Sequence, residues 1–539
     1  MNTILRYYLT SCLALSLLFN CGGGSDFVSA PIENIDSSPI KEAELSETQL
    51  NQWAHLDLEQ DTIPGMAVDK AYAELIKRKK GKTVIVAVVD SGTDIDHEDL
   101  EDNIWTNKDE IPNNGKDDDN NGYVDDIHGW NFLGDGYDEQ LEYVRIIAAG
   151  DKSAPRYEEA VALYDAEYEK WMGRKTQYDQ IYQQIKFADD KLTEHFGKSD
   201  YTKKEVNAIK TEDEELNQAK RVAQFMYGNG MESIAEAKEE IKDGIEGIND
   251  RLNVNLNKEL KGRTTGDNPY DLNDMPGYGD NNPRPSEKGE SHGTHVSGII
   301  AAERNNGVGM NGIANNVEIM AVRSTPNGDE YDKDVALAIR YAADNGAKII
   351  NASFGKSFSP NADWVRDALK YAAEKDVLFV HAAGNDSQNI DVKPNFPNDA
   401  VGTGPEVSDN VLTVGALAPD YGSSMVSSFS NYGQVNVDVF APGTDIYSTM
   451  PENQYKLNSG TSMAAPNVAG VAALIRSQFP ELSASEVKKI IMDSGLPIKA
   501  KVSVGPRDNK VTKSFSEISK SGRIVNAYNA LIMAAKMAK

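Results

Sequence analysis

The sequence predicts an α/β fold: a parallel sheet flanked by helices on both faces, with a helical insertion. Three observations predict it. Two short, continuously apolar runs, Val84-Ile85-Val86-Ala87-Val88-Val89 and Val377-Leu378-Phe379-Val380, read as strands buried on both faces. Such runs are what a parallel sheet covered by helices demands. Two segments of small residues, one opening at His292 and one at Ser462, read as helix starts. Between the first strand and the first of these helices lies a long stretch with 3–4 apolar spacing on charged helices. At 539 residues and 40% apolar content, the chain has ample material for a core.

Read in order, the N-terminus carries Arg6 and then an apolar run from Leu9 to Phe19. That run is too short to be a typical membrane-spanning helix and fits a signal peptide over 1–20. It ends in Leu17-Leu18-Phe19-Asn20-Cys21 followed by Gly22-Gly23-Gly24-Ser25, which resembles a bacterial lipoprotein cleavage site. The resemblance implies that Cys21 bears a lipid and that the exported protein is membrane-anchored; a freely secreted or periplasmic protein is the alternative. Cys12 lies inside the signal and no cysteine follows Cys21, so no disulfide is expected. Residues 21–50 are polar and rich in Ser and Glu, and read as a flexible tether. Residues 51–539 are then one domain, entered through a helix over Ala67–Lys79.

The first strand ends in Asp90-Ser91-Gly92, and His292 follows 202 positions later. The interval holds three parts. A loop over 111–128 places Asp117, Asp119 and Asn121 at alternate positions, with a turn at Gly122, the Tyr123 carbonyl and then Asp125 and Asp126. This pattern matches the opening of a calcium loop, with Asp126 closing the shell in place of the usual glutamate, since His128 occupies that position. The calcium is expected to be structural. The second part, 150–265, is helical: Tyr178, Ile181, Ile185, Ala188 and Leu192 form one stripe, and Ile234, Ala237, Ile241, Ile245, Ile248 and Leu252 another. The two stripes predict a hairpin or small bundle, with partner binding as the sharper alternative. The third part, Asp267 to Glu290, is rich in Gly, Pro, Asn and Asp and reads as a return loop.

Chemistry concentrates at four places. Asp90 stands at the carboxyl end of a buried strand, where it can orient an imidazole. His292-Gly293-Thr294-His295 sets His292 at a helix start. Ala382-Ala383-Gly384-Asn385 follows the second strand and offers an amide donor. Ser459-Gly460-Thr461-Ser462-Met463-Ala464-Ala465-Pro466 exposes a serine at a helix start, with Pro466 expected in the first turn. The order Asp, His, Ser in these contexts resembles the subtilisin-like serine proteases. That resemblance implies the subtilisin-like version of the fold and a serine endopeptidase. In it Asp90 is the orienting acid, His292 the general base, Ser462 the nucleophile and Asn385 the oxyanion donor. It further implies that Ser353, Phe354 and Gly355 pair with the substrate backbone and that Ala382, Ala383 and Gly384 line the primary pocket.

Of the seven histidines, only His292 is assigned to chemistry. His97 reads as part of a structural turn, His295 as packed within its helix and His381 as flanking a strand. The net charge of −29 excludes a nucleic-acid binder. The acidity is uneven: from Ser91 to Glu290 there are 47 Asp and Glu against 24 Lys and Arg. Expected partners are protein or peptide substrates, and a membrane through the lipid on Cys21. A rival reading is a catalytically idle surface binding protein that works through its helical insertion.

Overall fold

The computed structural model describes residues 29–33, 44–77, 79–286 and 289–538. Its centre is a nine-stranded sheet. Seven of its strands are β1 (Val84–Asp90), β2 (Gly129–Asn131), β3 (Val317–Arg323), β4 (Ile349–Ala352), β5 (Leu378–Ala382), β6 (Val411–Leu417) and β7 (Val439–Pro442). They lie in the order β2-β3-β1-β4-β5-β6-β7, all parallel, and the short strands Arg523–Ile524 and Leu496–Pro497 extend the sheet beyond β7. β1 is the hinge of the order: Val86 pairs with Ile319 of β3 on one side and with Ile349 of β4 on the other. A crevice outside the carboxyl ends of the strands at such a reversal is where open α/β sheets bind ligands.

Each sheet face has its own core. One is filled from the helices His292–Ala301 and Thr461–Gln478, whose small residues let them lie close on the strands. The other is filled by Asp332–Asp344, which contributes Tyr341, and Ala362–Glu374, together with Trp130 and Phe132. The alternation of side chains along β1 feeds both: Val84, Val86 and Val88 face the first, Ala87 and Val89 the second.

The helical stretch forms a separate bundle. Tyr157–Phe196 packs against both Glu214–Gly228 and Ile234–Asp250. Ile185, Ala188 and Leu192 meet Leu216, Ala223, Ile234 and Ala237 in a core of their own. Nearer the sheet, Ile248 and Leu252 join Val144 and Phe358 in a second small core.

The signal peptide and Cys21 lie outside the described residues. Of the expected tether, the described parts are docked. Asn529 pairs both backbone groups of Ile32, at 2.8 Å each. Residues Glu47–Gln52 form a capped helix, with the Ser46 hydroxyl accepting from Gln49 N. Trp53 then buries its ring and donates to the Thr444 carbonyl at 3.0 Å. The helix expected over Ala67–Lys79 is shorter: Val68–Ala71, widening over Tyr72–Ile76 and ending at Lys77 with φ +53°.

Candidate functional site

Asp90, the last residue of β1, is 1% exposed. Its Oδ1 accepts from Ser91 N at 2.8 Å and from His292 Nδ1 at 2.7 Å. The close approach of strand end and helix start requires Gly293, because a methyl there would stand 2.2 Å from the Gly92 carbonyl oxygen and 3.2 Å from Asp90 Cβ. Ser91 Oγ and Thr294 Oγ1 stitch the same junction, accepting from Gly293 N and Asp94 N at 3.2 and 2.9 Å. His292 keeps 39% of its side chain open, enough to reach a ligand. Burial lowers its proton affinity, but the charge of Asp90 and their hydrogen bond outweigh it, and the imidazole pKa is raised above 6.5.

Ser462 is the second residue of the helix Thr461–Gln478. Its Oγ is turned to the carbonyl of Ser353, donating at 3.0 Å, rather than to His292. Pro466 lies inside this helix, past the first turn where it was expected. Having no N–H, it leaves the Ser462 carbonyl without its helical partner. Ser353 Oγ takes that place, donating to Ser462 O at 2.8 Å, and is itself held by Asn351 Nδ2 at 2.9 Å. The proline thus accounts for a link between Ser462 and Ser353 that spans 109 positions of chain.

Asn385 is exposed, one residue beyond Gly384. Its Oδ1 accepts from both the N–H and the hydroxyl of Thr461, at 2.9 Å each, which fixes the amide and turns Nδ2 the other way. A methyl placed on Gly460 would lie 3.5 Å from Asn385 Nδ2 and 3.6 Å from Ser462 N. Two N–H donors therefore border one small space beside Ser462.

Ser353, Phe354 and Gly355 leave the end of β4, and Ala382, Ala383 and Gly384 leave the end of its neighbour β5. The segments are bound to their surroundings rather than to each other. His381 Nε2 donates to the Phe354 carbonyl at 2.9 Å, so His381, read from sequence as a flanking residue, holds the first segment. Asn431 Nδ2 donates to the Ala383 carbonyl at 2.9 Å, and Gly384 N donates to Thr461 Oγ1 at 3.0 Å. Burial lowers the pKa of His381 and of His295 to about 4, so both are neutral spacers. His97 is fully buried, accepting from Asp99 N and donating to the Gln454 carbonyl.

The acidic loop folds differently from the expected ligand set. Asp119 and Asp126 converge, and Glu110 joins them; one oxygen from each lies within 4.8 Å of the others. Asp117 instead caps the turn, accepting from Asn121 N and Gly122 N at 3.0 and 2.9 Å. Asn121 Oδ1 accepts from Tyr123 N at 2.8 Å, and the Tyr123 ring packs edge-on against Trp130 and Tyr341. The charge of the cluster is met by the amides of Asn107 and Asn121 and by Tyr341 OH, at 2.6 Å from Asp126. Burial pushes the Asp126 carboxyl up to about 6.

Sequence reasoning gave no role to Thr461, Asn431 or Glu110. Thr461 adjoins Ser462 and Glu110 precedes the acidic loop, so proximity was their only signal. Asn431 is brought in from 48 positions away from Ala383, where no local pattern marks it.

The sequence pattern of the Subtilase family matches residues 81–518, which include Asp90, His292, Asn385 and Ser462. The chain belongs to the subtilase family. A relative described as a thermophilic serine proteinase, from Bacillus sp. (strain AK1), is 43% identical over 222 residues, 41% of this chain and 48% of the relative. Thermitase from Thermoactinomyces vulgaris is 41% identical over 213 residues, 39% of this chain and 69% of thermitase. This subtilase thus matches about half the length of the Bacillus relative, 48%. A solved structure of proteases from Pseudoalteromonas arctica covers 90% of this chain and 97% of its own at 22% identity, with a TM-score of 0.46.

Proposed function

We propose that this subtilase is a serine endopeptidase that hydrolyses protein or peptide bonds through an acyl-enzyme. The observation that carries the reading is the 2.7 Å Asp90–His292 pair, with Ser462 and Asn385 brought to the same carboxyl end of the sheet from two other elements. A substrate chain lying along Ser353–Gly355 as an added strand competes for the Ser353 carbonyl and frees the Ser462 hydroxyl it holds. Ser462 Oγ attacks the scissile carbonyl while His292 Nε2 takes its proton; Asp90 holds the ring and offsets its new charge. The oxyanion forms between Asn385 Nδ2 and Ser462 N. His292 then passes the proton to the leaving amine, and water repeats the sequence to release the acid. In Ser462→Ala, casein hydrolysis should vanish while the melting temperature stays at the parental value. Near-parental cleavage by that variant would overturn the assignment.

The donors at Glu110, Asp119 and Asp126 are all hard oxygens, which suits calcium. These three residues would hold the ion, keeping Asp119 and Asp126 of the expected set Asp117, Asp119, Asn121, Tyr123 and Asp126 and adding Glu110, and its contribution there is structural. Residues 1–20 and Cys21 support export and lipid anchoring by their sequence. Cys21→Ser should release the protein from membranes, and continued membrane retention would contradict the anchor.

A further inference from the structure

We propose that Lys356 is a positioning residue for the substrate, and that the long stretch between Asp90 and His292 takes part in peptide binding through it. Glu142, from that stretch, clamps the Lys356 ammonium and so holds Ser353–Gly355 in place for a polypeptide to pair with. Lys356 directly follows Gly355, and its side chain is 1% exposed. Burying an ammonium is costly unless it is paired and hydrogen-bonded. Here Nζ lies 2.9 Å from both Glu142 Oε2 and Asp332 Oδ1, and donates to the Glu330 carbonyl at 2.6 Å. Arg145 Nη2 also meets Glu142, at 2.6 Å, and Arg145 in turn donates to the carbonyls of Gln140, Asp329 and Glu330. Two buried cations thus face two buried carboxylates. Burial raises the Glu142 carboxyl, but Arg145 and Lys356 outweigh it and hold it at about 2. Burial likewise lowers the Lys356 ammonium, but Glu142 and Asp332 carry it above its usual range, so the clamp stays charged.

The clamp acts on the substrate segment because Gly355 is exposed between two buried neighbours, Phe354 and Lys356. On one side, Ser353 is tied to Ser462 and the Phe354 carbonyl to His381. On the other, the Lys356 backbone exchanges both of its hydrogen bonds with Phe396, at 3.0 and 2.9 Å. The ammonium then fixes which way Lys356 faces, and with it the outward peptide groups of Gly355 that an added strand would meet. Stability alone does not call for these charges, since an apolar side chain of similar volume often stabilises as well or better than a buried ion pair. What the charges supply is direction. Asp332 carries the hold past the segment, accepting from Ser359 Oγ and Asn361 N at 2.7 and 2.8 Å. Glu142 opens the helix Glu142–Ala148, whose Val144 packs with Ile248 and Leu252. The hold on Gly355 is therefore anchored in the insertion.

The inference rests on the protease reading, and its test separates the two. Steady-state constants are measured for the whole chain as parent, Glu142→Gln, Lys356→Met, and Glu142→Gln combined with Lys356→Met. The substrates are a long unstructured peptide and a short acyl ester, which reaches Ser462 without pairing along the segment. Rates are normalised to sites titrated with a fluorophosphonate. In each single variant, peptide KM should rise about tenfold, the loss of one to two backbone hydrogen bonds to substrate. Peptide kcat and ester KM should move far less. The double variant keeps the cluster neutral, since Arg145 and Asp332 remain, and should raise peptide KM no further than either single one, because both act through one contact. Parental peptide KM in the variants that fold would overturn the proposal. So would peptide and ester constants falling together, or failure of all three variants to fold, either of which assigns the cluster to stability alone. Failure of the protease reading appears separately, as absence of ester turnover by the parent.

Discussion

The carboxyl end of the sheet and the helical bundle are built on opposite logics. At the carboxyl end of the sheet, each site side chain is held by a backbone group: Asp90 Oδ1 by Ser91 N just past β1, Ser462 Oγ by the Ser353 carbonyl, Asn385 Oδ1 by Thr461 N. Nothing there moves without disturbing a hydrogen bond, a glycine contact or a buried strand. The bundle over 157–250 instead carries its own core, and it meets the rest of the fold through a second, smaller apolar core in which Ala160 and Ile248 join Val144 and Phe358. At the start of its first helix, Arg156 donates to the Ser357 carbonyl at 2.8 Å. The difference teaches that the position of the site residues is over-determined by the sheet, whereas the bundle's helices are held chiefly by one another.

Asp90→Asn attacks the carboxyl end of the sheet most severely. It should lower kcat by roughly 10⁴ with the fold retained. The sign of its pH effect follows from the raised His292 pKa. In the parent, the imidazole stays protonated above 6.5, so activity falls as pH drops through that raised value. Removing the carboxylate leaves burial as the dominant influence and moves the acid limb of the kcat/KM profile to lower pH. An unmoved acid limb would break the pairing.

Asn385→Ala should retain weak turnover, down by about 10²–10³, because Ser462 N still donates. Thr461 sharpens the point, since loss of its hydroxyl releases only the orientation of the amide and should cost less.

Leu192→Ala tests the other half of the comparison. Leu192 is fully buried within the bundle's own core, so the substitution should destabilise that unit by about 2–5 kcal/mol. Hydrogen exchange should rise across 157–250 and not in β1 or β4, with kcat on a short ester unchanged. A matching loss of kcat would mean that the two regions are not separable.

The smallest effect expected is from calcium removal. A cation bound only by the native state adds about 2.7 kcal/mol at a hundredfold excess over Kd. Asp126 holds its proton up to about 6 in the folded state, against 3.8 as a free group. Without the ion, folding stability therefore falls as pH rises through that window, while the ion binds better as the carboxylate ionises. Chelator should thus lower Tm more at pH above this window than below it, and an equal shift at both would contradict a site built on Asp126.

The parallel strands and the two helix starts were legible because burial on both faces writes an unbroken apolar run, as in Val84–Val89. The bundle was legible from its 3–4 spacing at Ile185, Ala188 and Leu192. What was not legible depends on approach across the fold. Pro466 was expected in the first turn, and only the structure shows that its missing N–H is answered by Ser353. The acidic loop showed its carboxylates but not their directions: Asp117 is consumed by two backbone N–H groups, and Glu110 turns in from outside the pattern. The tether was misjudged at Ile32, whose docking depends on Asn529, 497 positions away.

The central claim is that Ser462 is a nucleophile activated by His292. Labelling with a fluorophosphonate probe, followed by mass mapping of the modified peptide, tests it most directly. The account predicts one adduct, on Ser462, in the parent, and its near-complete loss in His292→Ala protein of unchanged Tm. An unlabelled Ser462 in folded parent, or labelling that survives His292→Ala at the parental rate, would contradict it.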